Sequence, residues 1–243
     1  MTLGHELCGR IRHSGKPVMI DPRVLCKSCD PCRTGASHCC QSLGYVGGTT
    51  GFGGFGEVIS IAEENLLTLP PEIPLEYAAL LEPLAVVQHA IKVSGIVDWK
   101  DRDVLLIGGG PIGLALLLCL KAAGANRVVV SEPAAARKMQ VAEYASGVID
   151  PSKESVVERS RKLTEGRGVE VVFDCAGVTK GTEAAIDAMR FEGLYVMVAV
   201  WEGPVSAAVM HRVSSLRLMR TMDGISVLVI PRKAHHFEGN IDI

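Results

Sequence analysis

The stretch "DVLLIGGGPIGLALLLCLKAAGANRVVVSE", Asp103 to Glu132, constrains this chain more than any other. A short apolar run meets three glycines and passes into an apolar segment of helical length. That segment stops at Gly124, and a β-branched run, "RVVVSE", follows. Strands that are apolar throughout are buried on both faces, as in a parallel sheet covered by helices. The alternation then repeats. "AAARKMQVAEYA" predicts a helix, "GVID" a short strand, "KESVVERSRKLTEG" a helix and "VEVVFDCAG" a strand. "TEAAIDAMRFEG" predicts a further helix and "LYVMVAV" a further strand. Strands alternating with helices imply βαβ units, so the fold class is α/β with a parallel sheet.

Two GxGxxG matches occur, and their contexts differ. "GGGPIG" follows the strand "VLLI" and opens a helix, the setting a dinucleotide fingerprint requires. Gly108 makes the tight turn, Gly110 lets the backbone approach a pyrophosphate, and Gly113 permits close helix–strand packing. Pro111 and Ile112 lie between the last two glycines, where the helix begins. Glu132, nineteen residues beyond Gly113, stands at the end of the second strand. A carboxylate there accepts hydrogen bonds from ribose hydroxyls and repels a 2′-phosphate, so NAD is expected over NADP. Arg137 could touch the same ribose or weaken that preference. A parallel α/β domain without nucleotide is the plainer alternative. The other match, "GFGGFG" at Gly51 to Gly56, precedes the alternating run "EVISIA". No helix N-terminus follows it to receive a phosphate, and it reads as a turn and bulge in an antiparallel region.

Residues 1 to about 95 have another texture, rich in Gly, Pro and Cys, with β-like runs such as "EVISIA" and "NLLTLP". Regular helix first shows in "PLEYAALLEPLAVVQHAIKV". Within this region "CKSCDPCRTGASHCC" spaces Cys26, Cys29, Cys32 and Cys40 as C-x2-C-x2-C-x7-C. Two-residue gaps let thiolates converge on one tetrahedral ion, and a returning loop brings the fourth. Four thiolates leave no open position, so such a zinc is structural. Cys39 could stand in for Cys40, and reduced thiols or disulfides are the rival reading. Cys119 and Cys175 fall in apolar helix and strand and read as inert core.

Bulk composition narrows the partners. With 48% hydrophobic and 21% charged residues, the chain is globular. A net charge of −2 offers no basic face for nucleic acid and no polybasic membrane patch. The longest apolar run, Leu114 to Leu120, is far short of a bilayer span, and no secretory signal opens the chain. A cytoplasmic setting is the expectation.

In order, the chain holds a His-Glu pair, a four-cysteine lobe, an apolar helical stretch and a Rossmann-type unit. Its motifs "GHE" (Gly4 to Glu6), the cysteine lobe, "GGFGEV", "LLEPLAV" and "GGGPIG" resemble the zinc-dependent medium-chain dehydrogenase/reductase family, nearest its butanediol and polyol branch. The resemblance runs from about Thr2 to Val205. It implies a GroES-like, mainly β catalytic domain over 1–95, a Rossmann NAD-binding domain over 96–222, and a divergent tail over 223–243. His5 matches the catalytic-zinc histidine, Glu6 the adjacent glutamate, and Glu82 the glutamate near that zinc in the polyol-like branch. The residues agree: Glu82 is one carboxylate in the apolar run "AALLEPLAVV", where unpaired burial is expensive. Pro83 is expected to push Glu82 out of helical geometry at a helix entrance, and a simple N-terminal cap is the rival role. His89 reads as a packed helix residue, and His235 and His236 as a solvated end.

The family also draws a cysteine for its catalytic zinc from a stretch that precedes the His-Glu pair. That cysteine has no counterpart here, and Cys8 is not expected to replace it. The chain is therefore expected to be truncated, to bind NAD and one structural zinc, and to turn over an alcohol weakly or not at all. The activity implied is NAD-linked oxidation of a secondary alcohol or vicinal diol, with a homo-oligomer as the full-length parent. A non-catalytic fragment that keeps NAD and structural zinc is the rival reading.

Overall fold

A computed structural model describes residues 1–200 and the backbone of two further strands, Arg217–Arg220 and Ser226–Val229. The chain divides into two compact units, Met1–Val86 and Val87–Ile243.

The first unit is built from short pieces, as its glycines and prolines require. Strands β1 (Cys8–Arg10) and β2 (Pro17–Ile20) pair antiparallel, and β2 pairs in turn with β5 (Leu66–Thr68). A two-stranded ladder joins β3 (Arg23–Val24) to β4 (Gly44–Tyr45), and between them lies the one-turn helix α1 (Asp30–Arg33). Leu7, Ile20 and Val46 form a small core, with Ile59, Ile61 and Leu66 against it. The predicted strand "EVISIA" is not a strand. Its alternation is real, since Ile59 and Ile61 turn toward this core while Val58 and Ser60 are exposed. No backbone hydrogen bond ties Glu57–Ile61 to another strand among the described residues, so the periodicity is present without a ladder.

A 3-10 stretch, Leu75–Leu80, leads into α2 (Leu81–Val93), and the division between the units falls inside that helix. Glu82 lies within the first turn of α2, contrary to the expectation that Pro83 would exclude it from helical geometry. The first four N–H groups of a helix have no intrahelical acceptor, so a proline in that turn sacrifices no bond.

The second unit is a doubly wound sheet. Its strands are β6 (Asp103–Ile107), β7 (Arg127–Ser131), β8 (Gly147–Ile149), β9 (Val169–Asp174), β10 (Met189–Met197), β11 (Arg217–Arg220) and β12 (Ser226–Val229). The order is β11-β12-β10-β9-β6-β7-β8, parallel from β10 to β8, with β12 and β11 added antiparallel. Helices α3 (Pro111–Ala122), α4 (Ala135–Ala142), α5 (Val156–Leu163) and α6 (Thr179–Ala188) make the connections. The direction of winding reverses between β6 and β9, which creates a crevice at their C-terminal ends. Leu105, Val172 and Ile149 are fully buried, as the apolar strand pattern requires.

The predicted helix over "TEAAIDAMRFEG" ends early. Met189 already pairs with Val169, and the register then slips before Leu194 meets Val171. Glu192, with φ 61°, sits in that irregularity. Pairing to the sheet overrides local helix propensity here. The tail over 223–243, with His235 and His236, lies outside the described residues except for the backbone of Ser226–Val229.

Candidate functional sites

The four-cysteine lobe is shaped by a local backbone feature. Cys26 and Cys29 follow β3, Cys32 lies on α1, and Cys40 follows the 3-10 turn Ser37–Cys39. Lys27 takes a left-handed φ of 59°, and the amides of Ser28 and Cys29 bond the Cys26 sulfur. Those backbone bonds, with Ser28 first, lower the Cys26 thiol to about 6. Cys40 Sγ in turn accepts the Cys26 N–H at 3.4 Å. The Cys32 thiol is instead pushed up to about 12, by burial and by the sulfurs of Cys29 and Cys40. One thiolate is readily formed in this cluster, whereas four close together require a cation. The four sulfurs lie within 4.8 Å of one another, so a single tetrahedral ion fits the donor set. Cys40 is buried and inside the group, while Cys39 is exposed and outside it.

A second group forms around the His-Glu pair. Ligand atoms of His5, Glu6 and Glu82 also lie within 4.8 Å of one another. The loop "GFGGFG" explains how a segment so near the start of the chain is held. Gly54 N–H donates to Gly4 O at 2.8 Å, and Phe55 N–H donates to Leu3 O at 3.0 Å. A Cβ on Gly53 would lie 2.4 Å from the carbonyl oxygens of both Thr2 and Leu3, so only glycine allows this approach. Tyr45 meets the His5 ring edge-on, with centroids 5.8 Å apart and planes at 74°. Burial raises the Glu82 carboxyl above the usual carboxylate range; His5 opposes that rise, while Glu6 and Asp21 add to it. A cation would relieve the repulsion among these acids. Three such donors leave a fourth position open, unlike the thiol cluster. Cys8 is not in the group, since its sulfur donates to Leu75 O at 3.2 Å. His89 lies on α2, outside both groups. Tyr45 and Asp21 carried no sequence signal, because each reaches the group only through folding.

The third site is the glycine turn between β6 and α3. Gly108 adopts φ +96°, a conformation that L side chains rarely adopt. Gly110 is the N-cap of α3 and Pro111 its first residue. The N–H groups of Ile112 and Gly113 have no acceptor among the described residues and stand at the helix N-terminus, where a phosphate can be received. Gly113 packs so closely on the turn that a Cβ there would lie 2.1 Å from Gly108 O. Glu132 is only 3% exposed and already engaged: Oε2 accepts the Gly109 N–H at 2.8 Å, and Oε1 accepts the Ala134 N–H at 2.7 Å. Arg137 Nη1 is 4.0 Å from Glu132 Oε2.

Comparisons with known proteins converge on one family. The family described as zinc-binding dehydrogenase matches residues 111–236, and the alcohol dehydrogenase GroES-like domain matches residues 1–71. The chain belongs to the zinc-binding dehydrogenase family. The match continues past Val205, where the family pattern was expected to fade. (R,R)-butanediol dehydrogenase of Saccharomyces cerevisiae is 34% identical over 230 residues, covering 84% of this chain and 59% of the yeast protein. The crystal structure of 2R,3R-butanediol dehydrogenase from Bacillus subtilis is 32% identical, with a TM-score of 0.73, covering 84% of this chain and 60% of that one. A zinc-binding dehydrogenase from Sinorhizobium meliloti, solved bound to NADP, is 28% identical with a TM-score of 0.76, covering 87% and 66%. This chain thus spans about three fifths of the length of the butanediol dehydrogenases it matches. Among the described residues, no helix is long and apolar enough to cross a membrane.

Proposed function

We propose that the chain carries the machinery of an NAD-linked oxidoreductase that interconverts a secondary alcohol or vicinal diol and its ketone. The observation that supports this most directly is the grouping of His5, Glu6 and Glu82, three ligand atoms within 4.8 Å of one another, in a chain that also has a dinucleotide-type glycine turn. In this reading a zinc held there would supply Lewis-acid polarisation of an alcohol oxygen. His5 and the two carboxylates hold and orient the ion, and Tyr45 limits how the imidazole can turn. Cys26, Cys29, Cys32 and Cys40 take a separate, structural zinc. Gly108, Gly110, Pro111, Ile112 and Gly113 receive the pyrophosphate, while Glu132 and Arg137 face the adenosine ribose. The domain assignment follows: a GroES-like part over 1–95 and a nucleotide-binding part over 96–222.

The diol preference draws on the two butanediol dehydrogenases. NAD is preferred on the charge of Glu132, although the Sinorhizobium relative was solved with NADP. A cytoplasmic setting and a homo-oligomeric full-length parent complete the reading. The test is NADH formation by the zinc-loaded chain from 2,3-butanediol, sorbitol and xylitol. Diol-dependent NADH formation, lost in Glu82→Ala and His5→Ala, supports the reading even at low turnover. Equal activity in those variants would overturn the site assignment.

A further inference from the structure

Asp174 ends β9 and pairs with Ile107 across the sheet, at the crevice where the winding reverses. Its residue is 0% exposed, and among the described residues no cation pairs with it. A buried carboxylate without a counter-charge is costly unless its oxygens are well supplied with donors. Here four donors meet it. Oδ1 accepts the N–H of Ala176 at 2.9 Å and of Gly177 at 3.0 Å. Oδ2 accepts the Tyr195 hydroxyl at 2.6 Å and the Thr182 hydroxyl at 2.8 Å. One side chain therefore ties the loop after β9 to both α6 and β10.

That loop is what the glycine turn rests on. A Cβ on Gly108 would lie 3.3 Å from Ala176 Cβ and 3.4 Å from Ala176 N. Cys175 N–H donates to Ile107 O at 2.9 Å, immediately before the turn. The connection runs from the Asp174 carboxylate to the amides of Ala176 and Gly177, and from the same loop through Cys175 N–H to Ile107 O, the residue before Gly108; the room beside Gly108 is so small that a Cβ there would meet Ala176. We propose that Asp174 is a positioning residue for dinucleotide binding, holding the loop Cys175–Val178 as the bed on which the Gly108–Gly113 turn keeps its phosphate-receiving shape. The proposal rests on the nucleotide-binding reading given above.

The two halves of the network separate this role from a merely structural one. The bonds to Ala176 and Gly177 act on the loop, whereas those from Tyr195 and Thr182 anchor the carboxylate from behind. In Asp174→Asn the amide oxygen can face the two backbone N–H groups, and its NH2 can face the two hydroxyls, which are able to accept. In Asp174→Ala both backbone amides lose their acceptor.

The test measures NADH affinity by fluorescence titration of the full chain, beside thermal stability. Asp174→Ala should weaken NADH binding by about tenfold or more, the effect of losing hydrogen bonds to a charged acceptor. Tyr195→Phe should lower stability while leaving affinity near wild type, and Asp174→Asn should restore most of the affinity that alanine loses. If alanine prevents folding, Asp174→Ser, too short to span both amides, replaces it. Affinity that simply follows stability across the series, or an unchanged affinity in the alanine variant, would overturn the proposal. Hydrogen exchange is read on the same proteins without ligand. Faster exchange over Gly108–Gly113 in Asp174→Ala, absent in Tyr195→Phe, upholds the tether; unchanged exchange there overturns it. A wild-type chain that binds neither NADH nor NADPH would defeat the nucleotide reading, and the exchange result would still decide whether Asp174 holds the turn.

Discussion

The carboxylate of Glu132 accepts the amide of Gly109 at 2.8 Å, so the acid at the end of β7 also holds the middle of the glycine turn. Its second oxygen is engaged by Ala134 N–H. A ribose must therefore share an acceptor that is already holding the protein's own backbone. The charge remains, and it disfavours a 2′-phosphate. NADH should bind more tightly than NADPH, on the order of tenfold, as expected for one nearby charge in a partly screened site. Glu132→Gln keeps an acceptor for one amide but removes the repulsion, so it should narrow the gap mainly by improving NADPH. Glu132→Ala should also narrow the gap while weakening both cofactors, because the turn loses its brace. Fluorescence titration with both nucleotides measures this, and tighter NADPH binding by the wild type would reject the role of Glu132.

Gly113→Ala should strike the same turn by another route. The added Cβ falls 2.1 Å from Gly108 O, and that oxygen belongs to a backbone that cannot swing aside. Overpacking of this kind costs about 1–3 kcal/mol. Thermal denaturation should show the loss, accompanied by much weaker NADH binding. A variant as stable as the wild type would mean that α3 slides to make room.

Motifs carried by short spacing were the legible part. The cysteine lobe and "GGGPIG" bring their atoms together within one turn or loop, so spacing predicts geometry. Glu82 was legible as an unusual acid but not in its conformation, because the tolerance of a first helical turn for proline is a matter of unused donors. "EVISIA" has the period of a strand, yet a strand also needs a neighbour, which a period cannot supply. Met189 shows the converse, a helix-forming stretch claimed by the sheet. Asp174 carries no signal of its own inside an apolar run. Its partners Thr182 and Tyr195 lie eight and twenty-one residues onward, and only the fold brings them to one carboxylate.

Asp150 sets an acid limit on the second unit. Its carboxyl is held far below the usual range, first by the hydrogen bond from Lys138 and then by that from the Ser152 hydroxyl. A depressed folded-state value stabilises the protein above the unfolded value of about 3.9 and loses that effect as pH falls through the folded one. Asp150→Asn should therefore melt lower than wild type near neutral pH. The difference should shrink only as the pH drops below about 4. A difference that is constant from neutral pH to the acid limit would show that packing, not the ion pair, is what the substitution disturbs.

The two metal-ligand groups should differ in how firmly they keep an ion. The thiol cluster offers four soft donors around one point, with Cys40 buried and backbone amides supporting Cys26. Four thiolates complete a tetrahedral zinc and shed all its water. The other group offers one imidazole and two carboxylates, with His5 and Glu6 exposed and Glu82 half-buried. Extensive dialysis followed by metal analysis should thus leave about one zinc per chain. Cys29→Ser should lose that ion and much thermal stability with it, because binding to a structural site is coupled to folding. His5→Ala should leave the retained ion in place, yet abolish the extra zinc taken up when the metal is supplied in excess. Two zincs kept through dialysis would show that His5, Glu6 and Glu82 form a tighter cage than three donors and an open position imply.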